Sequence, residues 1–186
     1  MILPVFAYGQ PVLKKKATNI DAQYEDLSTL IENMWETMYA AHGVGIAAPQ
    51  IGLAIRLFVI DTIQIMEDDK KAEGFKKVFI NAQIVEEIGD LWAYEEGCLS
   101  IPDIRGDVER PKKVRIQYQD ENFNKYDEIY EGINARVIQH EYDHIEGILF
   151  VEKLKPLKKK LIQRKLNDIK AGKANPDYKI KYARFV

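Results

Sequence analysis

Cysteine and histidine are scarce in this sequence, which has one cysteine and three histidines in 186 residues. A single cysteine cannot form an internal disulfide, which excludes a disulfide-stapled secreted scaffold and indicates a reducing, cytoplasmic setting. Long apolar runs are also missing, since none approaches the roughly 18 residues of a membrane span. The first eight residues lack a basic segment and a small-residue cleavage site. We therefore predict neither a signal peptide nor a membrane partner.

The composition is otherwise that of an ordinary folded domain, with 46% hydrophobic and 30% charged residues. A chain of this length is long enough for one sizeable core, and no internal repeat or low-complexity linker divides it. We predict a single domain over residues 1–186, with a basic C-terminal helix and tail over about residues 156–186. We also expect a monomer.

The segment Gln139–Gly147 carries two of the three histidines at a spacing that suits a metal site. On a helix, His140 and His144 lie one turn apart on the same face, so both imidazoles reach one ion. Glu141 projects beside the pair, where a carboxylate takes a proton from the attacking water. Gly147 follows the last periodic residue, where helices commonly end. The segment therefore predicts a helix that bears a catalytic metal site.

A catalytic metal usually has three protein ligands and one open position, so the histidine pair needs a third partner. A third histidine of the pattern His-Glu-x-x-His-x-x-Gly-x-x-His would stand where this chain has Phe150. No glutamate follows Glu152, so a downstream glutamate ligand is missing too. His42 ends a predicted helix, a position where the helix dipole alone favours histidine. Cys98 would complete the ligand set.

Hydrophobic periodicity predicts an α+β fold with an N-terminal amphipathic helix from about Ala22 to Ala41. From Ile55 the period changes to two, which indicates strands, and the charged segment Met66–Lys77 is expected to be a surface loop. Strands in a block flanked by helices favour antiparallel or mixed sheets around a central helix that bears the His-Glu-x-x-His motif. The predicted strands are Arg56–Asp61, Val78–Asn81, Gln83–Ile88, Val114–Gln119 and Lys125–Tyr130, the last two joined by a hairpin turn at Asp120–Asn124.

The C-terminal part of the chain is strongly basic. Residues 153–186 hold twelve lysines and arginines against two aspartates, a net +10, so residues 1–152 carry −12 of the total of −2. Pro156–Ala171 predicts a helix that starts at proline, with lysines around one apolar stripe. The simplest interpretation is that this helix docks on the acidic body with its lysines in solvent. The predicted stripe consists of Leu157, Leu161, Ile162, Leu166 and Ile169.

Three segments together resemble the signature motifs of the peptide deformylases. They are Gly43–Gln50, Glu96–Ser100 and Gln139–His144, in the family's order and at similar separations. The opening Tyr8–Leu13 also resembles the start of bacterial members, so the likeness spans about residues 1–154. One motif alone would be weak, whereas three in register are specific. The resemblance implies a metal-dependent hydrolase that removes the formyl group from the N-terminal formylmethionine of new polypeptides and releases formate.

The resemblance also implies roles for particular residues. Cys98 and the two motif histidines would hold one divalent metal ion, and Glu141 would pass a proton from the attacking water to the departing nitrogen. The Gln50 side-chain amide and the Leu99 backbone N–H would donate to the oxyanion. Arg105 matches a position near the site with no assigned role.

The resemblance also implies where the substrate binds. Its backbone would lie extended like an added strand against Val44, Gly45, Ile46 and Gly97. Its methionine side chain would enter a pocket lined partly by Val44, Ile133 and Val137.

The ligand set leaves the metal open, because a thiolate with two imidazoles accepts Fe²⁺, Zn²⁺, Ni²⁺ or Co²⁺, and raw affinity favours zinc over iron. The resemblance implies Fe²⁺ in the cell, while purified protein is open to any of these ions. A formylated chain is a substrate that emerges from the ribosome. The basic C-terminal helix therefore has a second interpretation, a contact with ribosomal RNA near the polypeptide exit.

Two other classes of function stay open on the residues alone. A His-Glu-x-x-His peptidase would cut internal amide bonds, but the missing third histidine and downstream glutamate argue against it. A non-catalytic, zinc-stabilised binding module usually closes its site with four protein ligands, and the sequence has no second cysteine to complete one.

Overall fold

The computed structural model describes residues 1–183, so Arg184, one of the basic residues counted in the tail, lies outside the described range. The described helices are α1 (Leu27–Ala40), α2 (Gly132–Ile145) and α3 (Pro156–Lys170). The strands are β1 (Val5–Phe6), β2 (Gly45–Ala47), β3 (Leu57–Asp61), β4 (Lys76–Cys98), β5 (Ile101–Gln119), β6 (Lys125–Glu131) and β7 (Ile180–Lys181). An antiparallel sheet in the order β2-β3-β4-β5-β6 and a parallel pair of β1 with β7 confirm the predicted α+β class.

A long hairpin of β4 and β5 forms the middle of the sheet. β4 has 23 residues, so the two strands predicted at Val78–Asn81 and Gln83–Ile88 are one element. Its register shifts beside Asn81, whose φ is 53°, and this bulge interrupts the two-residue period that the prediction relied on. The connection at the tip is Leu99–Ser100, which places Cys98 at the last position of β4.

The segment Met66–Lys77 is a surface loop only in part. Its middle, Asp68–Glu73, forms an exposed 3-10 turn. Lys76 and Lys77 belong instead to β4, because they pair with the last residues of β3. The turn predicted at Asp120–Asn124 lies between β5 and β6, as expected.

Helix α1 begins five residues later than the predicted start at Ala22. The Asp21 carboxylate accepts the Gln23 N–H at 2.9 Å, and Asp26 has a φ of 53°, so the chain between them turns instead of winding into the helix. The predicted stripe of α1 faces one hydrophobic cluster, with Ile31, Met34 and Met38 buried and Leu27, Leu30 and Trp35 half-buried.

Helix α2 lies across the sheet and presents two different faces. Ala135, Ile138 and Ile145 pack against Phe58 and Phe79 of the sheet. The predicted stop is confirmed, since α2 ends two residues before Gly147, whose φ is 75°. The opposite face of α2 carries the motif histidines toward the hairpin tip. None of the helices within residues 1–183 is long and apolar enough to cross a membrane.

Helix α3 starts at Pro156 as predicted, but its five apolar residues do not form one stripe. Ile162, Leu166 and Ile169 are buried against the body, while Leu157 and Leu161 are 71% and 70% exposed. At 3.6 residues per turn these two leucines lie about 120° around the helix from the buried three, so one side docks and the other faces solvent.

Candidate metal centre and active site

Three ligand-type side chains meet where the hairpin tip touches α2. Cys98 comes from the end of β4, and His140 and His144 come from successive turns of α2. One ligand atom from each lies within 4.8 Å of the others, and the Cys98 Sγ lies 3.3 Å from the His144 Nε2. Sulfur and nitrogen ligands on a tetrahedral metal are about 3.5 Å apart, from bond lengths of about 2.3 and 2.0 Å. The cluster therefore fits one divalent ion.

A buried ionic network holds the first of these histidines. The Glu96 carboxylate lies 2.8 Å from the His140 Nδ1, which turns the other ring nitrogen toward Cys98. Arg110 donates to both Glu96 oxygens, at 2.7 and 2.9 Å, and Arg136 donates to one at 2.8 Å. Arg110 also reaches the Asp143 carboxylate at 2.8 Å. Burial alone would raise the pKa of Glu96, but the hydrogen bonds from His140 and Arg110 lower it well below the usual range, so Glu96 is a fixed anion.

The Glu141 carboxylate also lies beside the ligand cluster, but its surroundings differ from those of Glu96. It is 4% exposed, and its Oε2 is buried without a hydrogen-bond partner among the described residues. Burial raises the pKa of Glu141 to about 7, against the lowering effect of the nearby His140. Gly45 makes room for this carboxylate, because a Cβ there would lie 2.6 Å from the Glu141 Oε1. The pair explains why β2 begins with a glycine at this point.

Gln50 is fully packed behind the hairpin tip. Its Oε1 accepts the Ala47 N–H at 2.9 Å, which leaves its Nε2 directed at the tip, 3.5 Å from the Cys98 Sγ and 3.3 Å from the Ser100 Oγ. An amide that is fixed through its oxygen presents its N–H groups in one direction. Gln50 thus provides preorganised donors next to the ligand cluster.

A cavity of about 760 Å³ opens onto the cluster. Of the residues predicted to bind substrate, Val44, Gly45, Gly97, Ile133 and Val137 line it, together with Gln50 and Leu99. The Ile46 side chain is fully buried in the core instead, and Ile46 is not among the residues that line the cavity. Within the described residues β2 is an edge strand, which leaves one side of its backbone free beside the cavity.

Two residues whose roles the sequence left open lie at the cavity rim. His42 is exposed, with its Nε2 3.5 Å from the Asp177 carboxylate, and is no part of the ligand cluster. Arg105 donates to Glu95 at 2.7 Å, and both side chains are exposed. Its guanidinium also covers Gly97, where a Cβ would lie 2.7 Å from the Arg105 Nη1.

Sequence reasoning missed the ionic network behind His140, although signals for it exist. Arg136 precedes the two histidines by one and two helical turns, which puts a cation on the ligand-bearing face of α2. Arg110 is separated from the buried residues Ile104 and Val108 by an even number of positions along β5. Its side chain therefore lies on the same, inward-facing side of the strand. A charge at a core-facing position indicates a buried partner.

A helix-borne histidine pair, a cysteine sulfur and a buried carboxylate at the base of an open cavity define a mononuclear metallohydrolase site on an α+β scaffold. Comparison with known proteins gives the family. Residues 2–160 match the family model described as polypeptide deformylase, and the chain belongs to the peptide deformylase family. Members of this family are metal-dependent and remove the N-formyl group from nascent peptides.

Relatives and solved structures agree over nearly the whole chain. The peptide deformylase of Christiangramia forsetii is 56% identical, covering 98% of this chain and 96% of the relative. That of Flavobacterium johnsoniae is 53% identical, covering 98% and 97%. Among solved structures, a peptide deformylase from Legionella pneumophila is similar, with a TM-score of 0.81 and 39% identity over 94% of this chain and 99% of that one.

Proposed function

We propose that this chain hydrolyses the formyl amide of N-formylmethionyl peptides through the residues around Cys98, giving formate and a free amine. The observation that carries this proposal is the approach of the Cys98 sulfur to the α2 histidines beside a buried carboxylate. A divalent metal held by Cys98, His140 and His144 would supply Lewis-acid chemistry, lowering the pKa of water and polarising a carbonyl.

Glu141 acts as the general base and then the general acid in this proposal. Its Oε2 is buried and has no hydrogen-bond partner within residues 1–183, so this atom is available to take a proton from the attacking water. As the carbon–nitrogen bond of the tetrahedral intermediate breaks, the same atom returns the proton to the departing nitrogen. The free amine and formate then leave through the open side of the cavity.

Gln50 and Leu99 stabilise the negative charge that develops on the formyl oxygen. The Gln50 Nε2 is fixed next to Cys98, and the Leu99 N–H belongs to the peptide that follows Cys98. Donors that are in place before charge develops lose no reorganisation energy, and removing one typically costs about 10²–10³ in rate.

The substrate backbone lies extended between β2 and the end of β4. In this proposal the substrate pairs along Val44, which directly precedes β2, and along Gly45 and Ile46 of β2, while Gly97 borders the same cavity. The methionine side chain enters the apolar part of the cavity, where Ile133 and Val137 of α2 lie. This arrangement puts the formyl carbon beside the ligand cluster.

One assay tests the reaction. Formyl-Met-Ala-Ser and its acetylated twin are offered to Fe²⁺-loaded protein, and formate and new amine are measured. Formate from the formylated peptide alone is expected. Internal cleavage would favour a peptidase, and no turnover of either peptide would favour a binding module, so both results contradict the proposal.

We propose Fe²⁺ as the ion that works in the cell. The thiolate and two imidazoles of this site accept Fe²⁺ as well as Zn²⁺, Ni²⁺ and Co²⁺, and zinc binds more tightly by the general affinity order. Protein purified without oxygen and loaded with each ion in turn should turn over fastest per bound metal with Fe²⁺. Equal or faster turnover with Zn²⁺ would overturn this assignment.

The predicted single domain is supported by the way the two ends of the described chain meet. β1 pairs with β7, and the side chains of α3 pack with Leu13 and Phe150 in one cluster. We propose that this unit works as a monomer of 21.5 kDa in the cytoplasm, where the free Cys98 thiol stays reduced. Sedimentation equilibrium of the metal-loaded protein checks the mass.

We also propose that α3 brings the enzyme to the ribosome. Its solvent side presents exposed lysines around Leu157 and Leu161. The rest of the chain is acidic and would repel RNA phosphates, so this basic face would be their preferred contact. The buried side of α3 is already used for docking on the body, so contact with RNA needs no rearrangement of the fold.

A further inference from the structure

The chain after α3 returns across the cavity as a strap, defined here as residues 174–182. Its end is fastened to the N-terminal segment, because β7 pairs with β1 and the Gln10 amide donates to the carbonyls of Lys181 and Tyr182 at 3.2 and 2.7 Å. The Tyr182 hydroxyl donates to the Ala174 carbonyl, which closes the strap on itself. Residues 175–178 line the cavity. The strap is therefore a fixed wall of the site.

Tyr178 connects this strap to the catalytic turn. Its hydroxyl donates to the Leu99 carbonyl at 2.7 Å, and its ring packs in the same hydrophobic cluster as the Leu99 side chain. Leu99 is the first residue of the two-residue connection between β4 and β5, directly after Cys98.

The turn is held from three sides. The Tyr8 N–H donates to the Ser100 carbonyl at 2.8 Å, and the Gln50 amide reaches the Ser100 hydroxyl at 3.3 Å. The Tyr178 hydroxyl holds the remaining carbonyl of the connection, that of Leu99. Together with the pairing of Cys98 with Ile101 across the turn, these bonds set how it presents Cys98 and the Leu99 N–H.

We propose that Tyr178 is a positioning residue for deformylation, which acts by holding the Leu99 carbonyl and through it the geometry of the Cys98–Ser100 turn. The inference rests on the proposed function, in which this turn supplies one metal ligand and one oxyanion donor. Small displacements of such groups are expensive, since a shift of about 1 Å can cost about 10²-fold in rate.

The test compares two tyrosine-to-phenylalanine variants that each remove one hydroxyl from the strap. Tyr178→Phe releases the Leu99 carbonyl, whereas the control Tyr182→Phe removes a bond inside the strap that does not touch the turn. Tyr178→Phe should lower kcat about tenfold with little change in KM, because binding along β2 is untouched. Tyr182→Phe should keep the parental kcat.

A second readout does not depend on turnover. In the Co²⁺-loaded protein, the thiolate-to-cobalt charge-transfer absorption reports the geometry of Cys98, the only cysteine. The band should shift in Tyr178→Phe and stay in place in Tyr182→Phe. A parental kcat or a parental band in Tyr178→Phe overturns the inference. Because the band is measured without substrate, it still decides the role of Tyr178 if the protein proves not to be a deformylase.

Discussion

Two buried carboxylates, Glu96 and Glu141, both lie near His140 and have opposite surroundings. Glu96 is held by two arginines and His140; burial alone would raise its pKa, but the hydrogen bonds from His140 and Arg110 lower it and fix the charge. Glu141 has an oxygen with no partner among the described residues. An ion that is paired on all sides orients its neighbours, whereas a carboxylate with a free oxygen is able to move a proton. The partners, not the residue type, separate the two roles.

Replacing Glu141 by glutamine tests the proton-carrying role. Glu141→Gln keeps the size of the side chain but removes the base, so metal content should persist while kcat falls by about 10²–10⁴. Glu95→Gln is a matched control, because Glu95 also lines the cavity but is exposed and, within residues 1–183, pairs only with Arg105. A Glu141→Gln variant that binds metal and turns over near the parental rate would show that another group is the base.

Gly45 offers a test of how closely that carboxylate must fit. In Gly45→Ala the new Cβ would meet the Glu141 Oε1 at 2.6 Å and its Cδ at 2.8 Å, so the carboxylate has to move. We expect kcat to fall by at least about tenfold with metal content unchanged.

A double-mutant cycle shows whether this loss acts through Glu141. If it does, adding Gly45→Ala to Glu141→Gln should cost almost nothing further, because the base is already absent. Fully additive losses would mean that Gly45 matters for another reason, such as the path of the substrate along β2.

At the scale of elements, the sheet end formed by β5 and β6 carries a polar cluster far from the chemistry. Glu128 accepts hydrogen bonds from the hydroxyls of Tyr118 and Tyr130 and from the Lys77 ammonium, 3.1 Å away. Burial alone would raise the pKa of Glu128, but these hydrogen bonds lower it below its ordinary value of 4.5. Ionised Glu128 therefore adds to the hydrogen bonds among Lys77, Tyr118 and Tyr130 that join β4, β5 and β6.

Glu128→Gln should make the stability of the sheet less dependent on pH. The lowered pKa in the folded state means that ionised Glu128 stabilises the fold fully above about pH 4.5, and that this contribution is lost as the pH falls through the folded-state pKa. Denaturant unfolding should show the variant less stable by about 1 kcal/mol at pH 7, a modest value because the side chain is partly exposed. The two proteins should converge as the pH falls through the lowered folded-state pKa of Glu128. A difference that is constant from pH 3 to pH 7 would contradict this explanation.

Sequence patterns predicted the local elements better than the long-range ones. The four-residue spacing of His140 and His144, the glycine stop after α2 and the proline start of α3 are all local signals, and the structure confirms each of these three predictions. The full length of β4 was not predictable from period two, because its bulges shift the phase of the pattern at Asn81 and again near Gly89.

Predictions for the site divide in the same way between local signals and long-range contacts. Cys98 was identified because a metal needs a third ligand and few candidates remained, and the structure brings it to the histidines. The contacts of Glu96 with its partners and the hydrogen bond from Tyr178 to Leu99 join residues far apart in the chain. Local sequence periodicity therefore does not predict them. They depend on which strand ends meet, which the sequence pattern alone did not define.

At the scale of the whole molecule, charge is divided along the chain. The acidic part, residues 1–152, forms the five-stranded sheet and carries the ligand cluster, and the basic part begins just before α3. Since Ile162, Leu166 and Ile169 bury one side of α3, its lysines and the exposed Leu157 and Leu161 share the solvent side. A surface that combines positive charge with exposed apolar side chains suits a partner that offers phosphates and protein together, as a ribosome does.

Reversing the charge of this surface tests the ribosome contact. Replacing Lys158, Lys159, Lys160 and Lys165 with glutamate should leave turnover of short formylated peptides intact, because none of these lysines lines the cavity. Co-sedimentation with ribosomes at low salt should weaken strongly, and its salt dependence should become shallower, as fewer phosphate contacts release fewer counterions. The matched control reverses four exposed lysines elsewhere, Lys70, Lys71, Lys112 and Lys125, and so changes the net charge equally. If both variants co-sediment alike, whether as well as the parent or equally weakly, α3 makes no specific contact and its lysines only solvate the surface.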